Sequence, residues 1–207
     1  MESPRGAGGI SRVVAMLLAP GRTWDAIAEA PAAPRALVLR YAAPLAAIPA
    51  VFGVVGALAF GFNIANIGVH MRLEGLVLGA VAGFVLTLAA VWALAVFIDV
   101  AAPVFGGVRG RETALNLTVY AATASWVGGL AEVYPSVGIP VGILAGLYSL
   151  YTLYLGLPKM MRIPEERRLT AFAAVLIAIL LLAVGRGMVT AKAAELGGPL
   201  SASYAPR

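Results

Sequence analysis

Asp99 is the one acid well inside an apolar stretch of this 207-residue chain. If that stretch is a membrane helix, Asp99 comes to a depth similar to that of Arg40 and Asn116 in the neighbouring stretches. An acid at that depth is costly unless it is paired or wet. The placement therefore predicts that Asp99 meets Arg40, Arg109 or Asn116. The favoured role of this buried polar cluster (Arg40, Asp99 and Asn116) is a salt bridge that locks helix ends together. A proton relay or a cation site is the alternative.

Other reactive chemistry is sparse. His70 is the only histidine, and it falls in a loop on the outer side. With no cysteine in the chain, disulfides and thiolate metal sites are excluded, and a zinc site lacks its ligands. There is no G-x-S-x-G elbow, Walker loop or dinucleotide fingerprint. The sequence thus gives no catalytic, cofactor-binding or metal-binding residue, and a non-enzyme is expected.

The elements that must position these residues are five apolar runs, at about 36–61, 75–102, 113–133, 137–157 and 170–190. A helix needs about 20 residues to cross a hydrocarbon core of about 30 Å. With 61% apolar residues and a mean hydropathy of +0.91, the chain carries more apolar surface than a soluble domain of this size can hide. The expected fold class is all-α: a single integral membrane bundle of five transmembrane helices, preceded by short interfacial amphipathic helices. The first run begins after a polar segment with internal prolines, so a retained first helix is expected, without a cleaved leader or a lipid anchor.

The net charge of +5 does not point to nucleic acid, because the basic residues flank apolar runs instead of forming one patch. Of the 15 basic residues, 11 fall on one side if five spans alternate, among them Arg40, Arg109, Arg111, Lys159, Arg162, Arg167 and Arg168. This bias predicts a cytoplasmic N-terminus and an external C-terminus. Arg186 can snorkel to the far interface, and Glu132 is expected to be wet at a span end.

Residues 10–29 carry Ile10, Val13, Val14, Leu17 and Leu18 at helical spacing. Pro20-Gly21 breaks this pattern, and a second short helix from Thr23 would carry Trp24 and Ile27 on its apolar face. The pair reads as lying on the cytoplasmic leaflet with Trp24 at headgroup depth, or else as packing on the end of the bundle. Pro44 and Pro49 predict kinks in the first span. In the third, Asn116, Tyr120 and Thr123 share one face, while Thr118 and Ser125 lie opposite.

Two stripes of glycine, Gly75, Gly79 and Gly83 in the second span and Gly138, Gly142 and Gly146 in the fourth, predict close helix packing. That packing is expected within the chain, with self-association as the alternative. The fourth span ends in Tyr148, Tyr151 and Tyr154, and the loop after it is basic. The candidate cytoplasmic contact surface is Tyr151, Tyr154, Lys159, Arg162, Arg167 and Arg168. Residues 195–207 read as a disordered external tail.

Several of these residues, in order, carry a resemblance. They are Leu17-Leu18-Ala19-Pro20, Thr23-Trp24-Asp25-Ala26-Ile27-Ala28-Glu29, Tyr41, Pro44-Leu45 and Phe105-Gly106-Gly107. They continue with Ala114-Leu115, Tyr120, Tyr148-Ser149-Leu150-Tyr151 and Tyr154-Leu155-Gly156-Leu157-Pro158-Lys159-Met160-Met161. Over about residues 15–190 the chain resembles the Yip family of five-span membrane proteins, in its bacterial branch. That resemblance implies five helices and a cytoplasmic N-terminus. Eukaryotic relatives bind Rab-type GTPases and work in vesicle traffic; they have a long cytosolic N-terminal region with an Asp-Leu-Tyr-Gly-Pro motif, and this sequence has neither.

The function expected is that of a non-enzymatic protein of a bacterial inner membrane that organises partners or lipids, anionic lipids among them. Basic juxtamembrane residues attract such lipids by about 1 kcal/mol each. A transporter or channel, or an accessory subunit of a larger complex, is the alternative.

Overall fold

The computed structural model describes residues 9–60, 62–64, 67–69 and 73–195. The expected tail at 195–207, beyond Glu195, and His70 lie outside the described residues.

The N-terminal pair forms two helices, α1 (Gly9–Leu18) and α2 (Pro20–Glu29). The break between them is shorter than expected. Pro20 starts α2 instead of merely ending α1, because its fixed φ suits a first helical position and its missing N–H would have been unpaired there. Only Ala19 separates the two helices.

The first apolar run is helical from Pro34 to Phe60, as α3 (Pro34–Leu37), a π segment (Val38–Ala42) and α4 (Ala43–Phe60). Pro44 cannot donate to the Arg40 carbonyl four residues back, and the helix opens into the wide π turn just before it. A short ribbon follows, β1 (Phe62–Ile64) antiparallel to β2 (Ile67–Val69), with Phe62 opposite Val69. Nothing in the hydrophobic pattern had suggested it.

The second run is one continuous helix, α5 (Leu73–Ala101). It closes through a 3-10 turn over Ala102–Phe105, with Pro103 in its first turn and Gly106 in the left-handed region at φ +78. That is a position where glycine carries no Cβ penalty.

The third run departs from expectation. Residues 113–133 are not one span helix. They form α6 (Arg111–Ala121), α7 (Thr123–Gly128) and a 3-10 turn over Gly129–Val133. The Thr123 hydroxyl donates to the Tyr120 carbonyl at 2.7 Å, and the Thr118 hydroxyl binds carbonyls of its own helix. Such local bonds compete with regular helix, and Gly128-Gly129 weakens it further. The broken segment still crosses the bundle. It starts beside Asp99 and ends at Tyr134, whose ring stacks edge-on against Phe60 at 5.0 Å.

The last two elements are α8 (Pro135–Met161) and α9 (Arg168–Glu195), each longer than the run that announced it. Among the described residues four helices are long and apolar enough to cross a membrane: Pro34–Phe60, Gly75–Phe105, Ser136–Met161 and Glu165–Val189. With the broken third segment, five passes traverse the bundle.

The bundle is built inside out relative to a soluble protein. Large apolar side chains such as Val81, Leu144 and Leu181 face outward, as lipid-facing side chains must. The dense core sits toward the Lys159 end, where Met16, Trp24, Ile27, Tyr41, Leu117 and Met161 are buried together.

Candidate functional site: the N-terminal hairpin and the basic end

Trp24 is completely buried. Its indole N–H donates to the Thr152 carbonyl of α8 at 2.9 Å. Gly156, one turn further along α8, makes room for it: a Cβ there would stand 2.7 Å from the indole and 2.5 Å from Leu117. Of the two readings of residues 10–29, packing on the bundle is the one realised. Trp24 is not a free anchor, because its ring fills a socket in the protein with a backbone acceptor.

The rest of the hairpin is held in the same way. The Tyr148 hydroxyl donates to the Leu17 carbonyl at 2.7 Å, and the Lys159 ammonium bonds the Gly21 carbonyl at 2.8 Å and the Asp25 carboxylate at 2.6 Å. Behind α2, the buried Asn116 amide accepts from Ala32 N–H and donates to Ala32 C=O, both at 2.9 Å. This reciprocal pair satisfies a stretch of chain that has no helix partners of its own.

The expected polar face of the third segment is therefore real but faces inward. Tyr120 stacks edge-on with Tyr41 at 4.7 Å and Trp24 at 6.5 Å, and Tyr41 and Thr123 share a 2.9 Å hydrogen bond. On the opposite face Ser125 bonds Ser149 of α8 at 2.8 Å. Among the described residues no buried side-chain nitrogen or oxygen lacks a partner.

The cluster of Arg40, Asp99 and Asn116 does not assemble. Asn116 is taken by Ala32, and Arg40 is exposed on the π segment. Asp99 accepts a 2.8 Å bond from Gly110 N–H, and its second oxygen lies 3.9 Å from Arg109. It holds the loop that starts α6, where a negative charge also suits the helix N-terminus. Sequence depth put the three residues level, but depth says nothing about which face each residue occupies.

The glycine stripes also need correction. A Cβ at Gly83, Gly142 or Gly146 would meet nothing within 4 Å, while one at Gly138 would stand 3.0 Å from Glu132 Cα. Gly75 and Gly79 are half-buried. Backbones approach closely elsewhere: at Gly56 against the Glu132 carbonyl, at Gly129 against Pro49, at Gly107 against the Met161 carbonyl and at Gly156. A stripe marks where a close neighbour is allowed, and only the fold decides where one arrives.

The basic end is organised by two loops. Val108 N–H donates to the Met161 carbonyl at 2.8 Å, which joins the segment after α5 to the end of α8. Arg162 then closes α8 with φ +52, the left-handed region where a side chain is unfavourable. Of the expected contact surface, Lys159 is consumed by α2, and Arg168 pairs with Glu165 at 2.9 Å while stacking on Tyr154 at 4.2 Å. Arg162, Arg167 and Tyr151 stay exposed, with Arg109 beside them in the joined loop.

Helices long enough to cross a bilayer, an outward apolar surface and a satisfied polar interior define a multi-pass membrane protein. The Yip1 domain family matches residues 14–186, so the chain belongs to that family. No curated protein and no solved structure matches it. The match begins within α1 and ends within α9, so it takes in α2, the first four passes and the basic loops.

Proposed function

We propose that this protein is a non-catalytic organiser of the membrane that contains it, acting through a cytoplasmic surface that recruits anionic lipid and protein partners. The reading places it in a bacterial inner membrane with the Lys159 end in the cytoplasm. The observation that carries it is the pair of loops joined by the Val108–Met161 bond, in which Arg109, Arg162 and Arg167 are exposed. Arg162 supports it further. Glycine would suit its backbone better, so the guanidinium is kept at a conformational cost of about 1 kcal/mol or more. A cation also suits a helix C-terminus, which offsets part of that cost.

A transport reading finds less support. The polar side chains that would line a route through the third segment are bonded to one another or to backbone. Protein partners belong to the same proposal, including a second copy approaching the open face at Gly142 and Gly146.

Purification in mild detergent, followed by quantification of bound lipid and of crosslinked proteins, tests this. Enrichment of anionic lipid or a reproducible partner, reduced in Arg162→Gln/Arg167→Gln, is expected. Neither enrichment nor partner would refute it.

A further inference from the structure

Arg40 was one of three partners expected for Asp99, and Arg109 takes that place instead. Among the described residues neither Arg40 nor Arg12 has a carboxylate partner. The ion pairs found there use Arg109, Lys159 and Arg168. The two arginines belong to one corner. Gly9, one turn before Arg12, lies against the Arg40 backbone, where a Cβ would stand 3.8 Å from the Arg40 carbonyl oxygen. Arg12 itself sits 5.7 Å over the Tyr120 ring. Such stacking restrains the guanidinium while leaving its N–H edge free to bind.

The surroundings are apolar and open. Ile10 is 82% exposed and Leu39 62%, with Val14 one turn along α1 from Ile10. Leu39 precedes Arg40 in its π segment, and Ile10 follows Gly9, the residue that lies against the Arg40 carbonyl. That segment is a local departure from regular helix of the kind found at functional sites.

We infer that Arg12 and Arg40 form a seat for the phosphate of an acidic glycerophospholipid, with an acyl chain lying along Ile10, Val14 and Leu39. Two guanidiniums supply paired donors for phosphate oxygens. A soluble phosphate would use the same donors but would leave the apolar strip uncovered, so the lipid is the occupant. This rests on the reading that the Lys159 end faces the anionic leaflet, but it uses a different surface from Arg162 and Arg167.

The test is native mass spectrometry of the full-length protein from mixed micelles holding equal phosphatidylglycerol and phosphatidylcholine. Wild type is expected to retain phosphatidylglycerol selectively. Arg40→Gln, at an exposed position that the fold does not depend on, should lower that selectivity about fivefold, and Arg12→Gln/Arg40→Gln about 25-fold. Arg22→Gln, an exposed arginine on α2, should leave it unchanged, while Arg162→Gln/Arg167→Gln lowers it only by the share of the basic loops and leaves the further loss on Arg40→Gln in place. Unaltered selectivity in both Arg40 variants would overturn the inference, and so would an equal loss in Arg22→Gln. Full protection of the protein against heating by inorganic phosphate alone would also overturn it. Loss only in Arg162→Gln/Arg167→Gln would leave the proposed function standing and this site refuted.

Discussion

The Trp24 indole and the Thr152 carbonyl meet at 2.9 Å across 128 positions of sequence, and that bond joins the N-terminal hairpin to the fourth span. Trp24→Ala removes the largest fully buried side chain and should destabilise the fold by about 3–5 kcal/mol. Trp24→Phe keeps most of the apolar volume and should cost about 1–2 kcal/mol, mainly the lost hydrogen bond. Thermal unfolding in detergent, followed through the remaining Trp92 and Trp126, measures both.

Glycine substitutions separate close approach from open face. Gly156→Ala places a methyl group 2.7 Å from the rigid indole and should cost about 1–3 kcal/mol. Gly142→Ala and Gly146→Ala meet open space and should leave unfolding within about 0.5 kcal/mol of wild type. If a second copy uses that face, the same pair of alanines will shift the oligomer distribution in analytical ultracentrifugation without moving the melting temperature.

Asp99 gives a double-mutant prediction. Its side chain is mostly buried and bonded to Gly110, while Arg109 is 62% exposed and 3.9 Å away. Asp99→Asn should cost about 1 kcal/mol. Its coupling to Arg109→Gln should be no more than about 0.5 kcal/mol, because the pair is long and wet on one side. Coupling to Arg40→Gln should be absent within error. A measured Asp99–Arg40 coupling above about 1 kcal/mol would contradict the arrangement.

Asn116 tests the buried polar interior. Asn116→Ala strands the Ala32 N–H and C=O, so a loss of about 2–4 kcal/mol is expected, one to two kilocalories for each orphaned group. Asn116→Asp keeps the acceptor but loses the donor, and should recover less than half of that loss. Chemical denaturation of the two variants side by side reads the difference.

What was legible follows from what each signal measures. Hydropathy counts length in an apolar solvent, so it located the passes at 36–61, 75–102, 137–157 and 170–190 to within a turn or two. It could not see the break at Ala122, beside which Thr123 bonds the Tyr120 carbonyl. Pro44 announced a disturbance in the first span but not that it would be a π turn exposing Arg40. The hairpin was found by its periodicity. Its docking was not, because an amphipathic helix with a tryptophan suits a membrane surface and a protein groove equally well. The missing clue was Gly156, a lone glycine outside both stripes. Its lack of a side chain has meaning only opposite Trp24.

The central structural claim is that α1 and α2 are part of the bundle and hold its basic end in place. The chain has no cysteine, so a designed pair is the only one that can react. Asp25→Cys/Lys159→Cys replaces the ion pair that ties α2 to α8, and a short bis-thiosulfonate reagent applied to intact membranes reports their separation. A rapid intramolecular crosslink, detected as linked peptides within one chain, is expected. Slow or absent linkage, with both cysteines freely labelled by a water-soluble maleimide, would mean that the hairpin floats apart from the bundle.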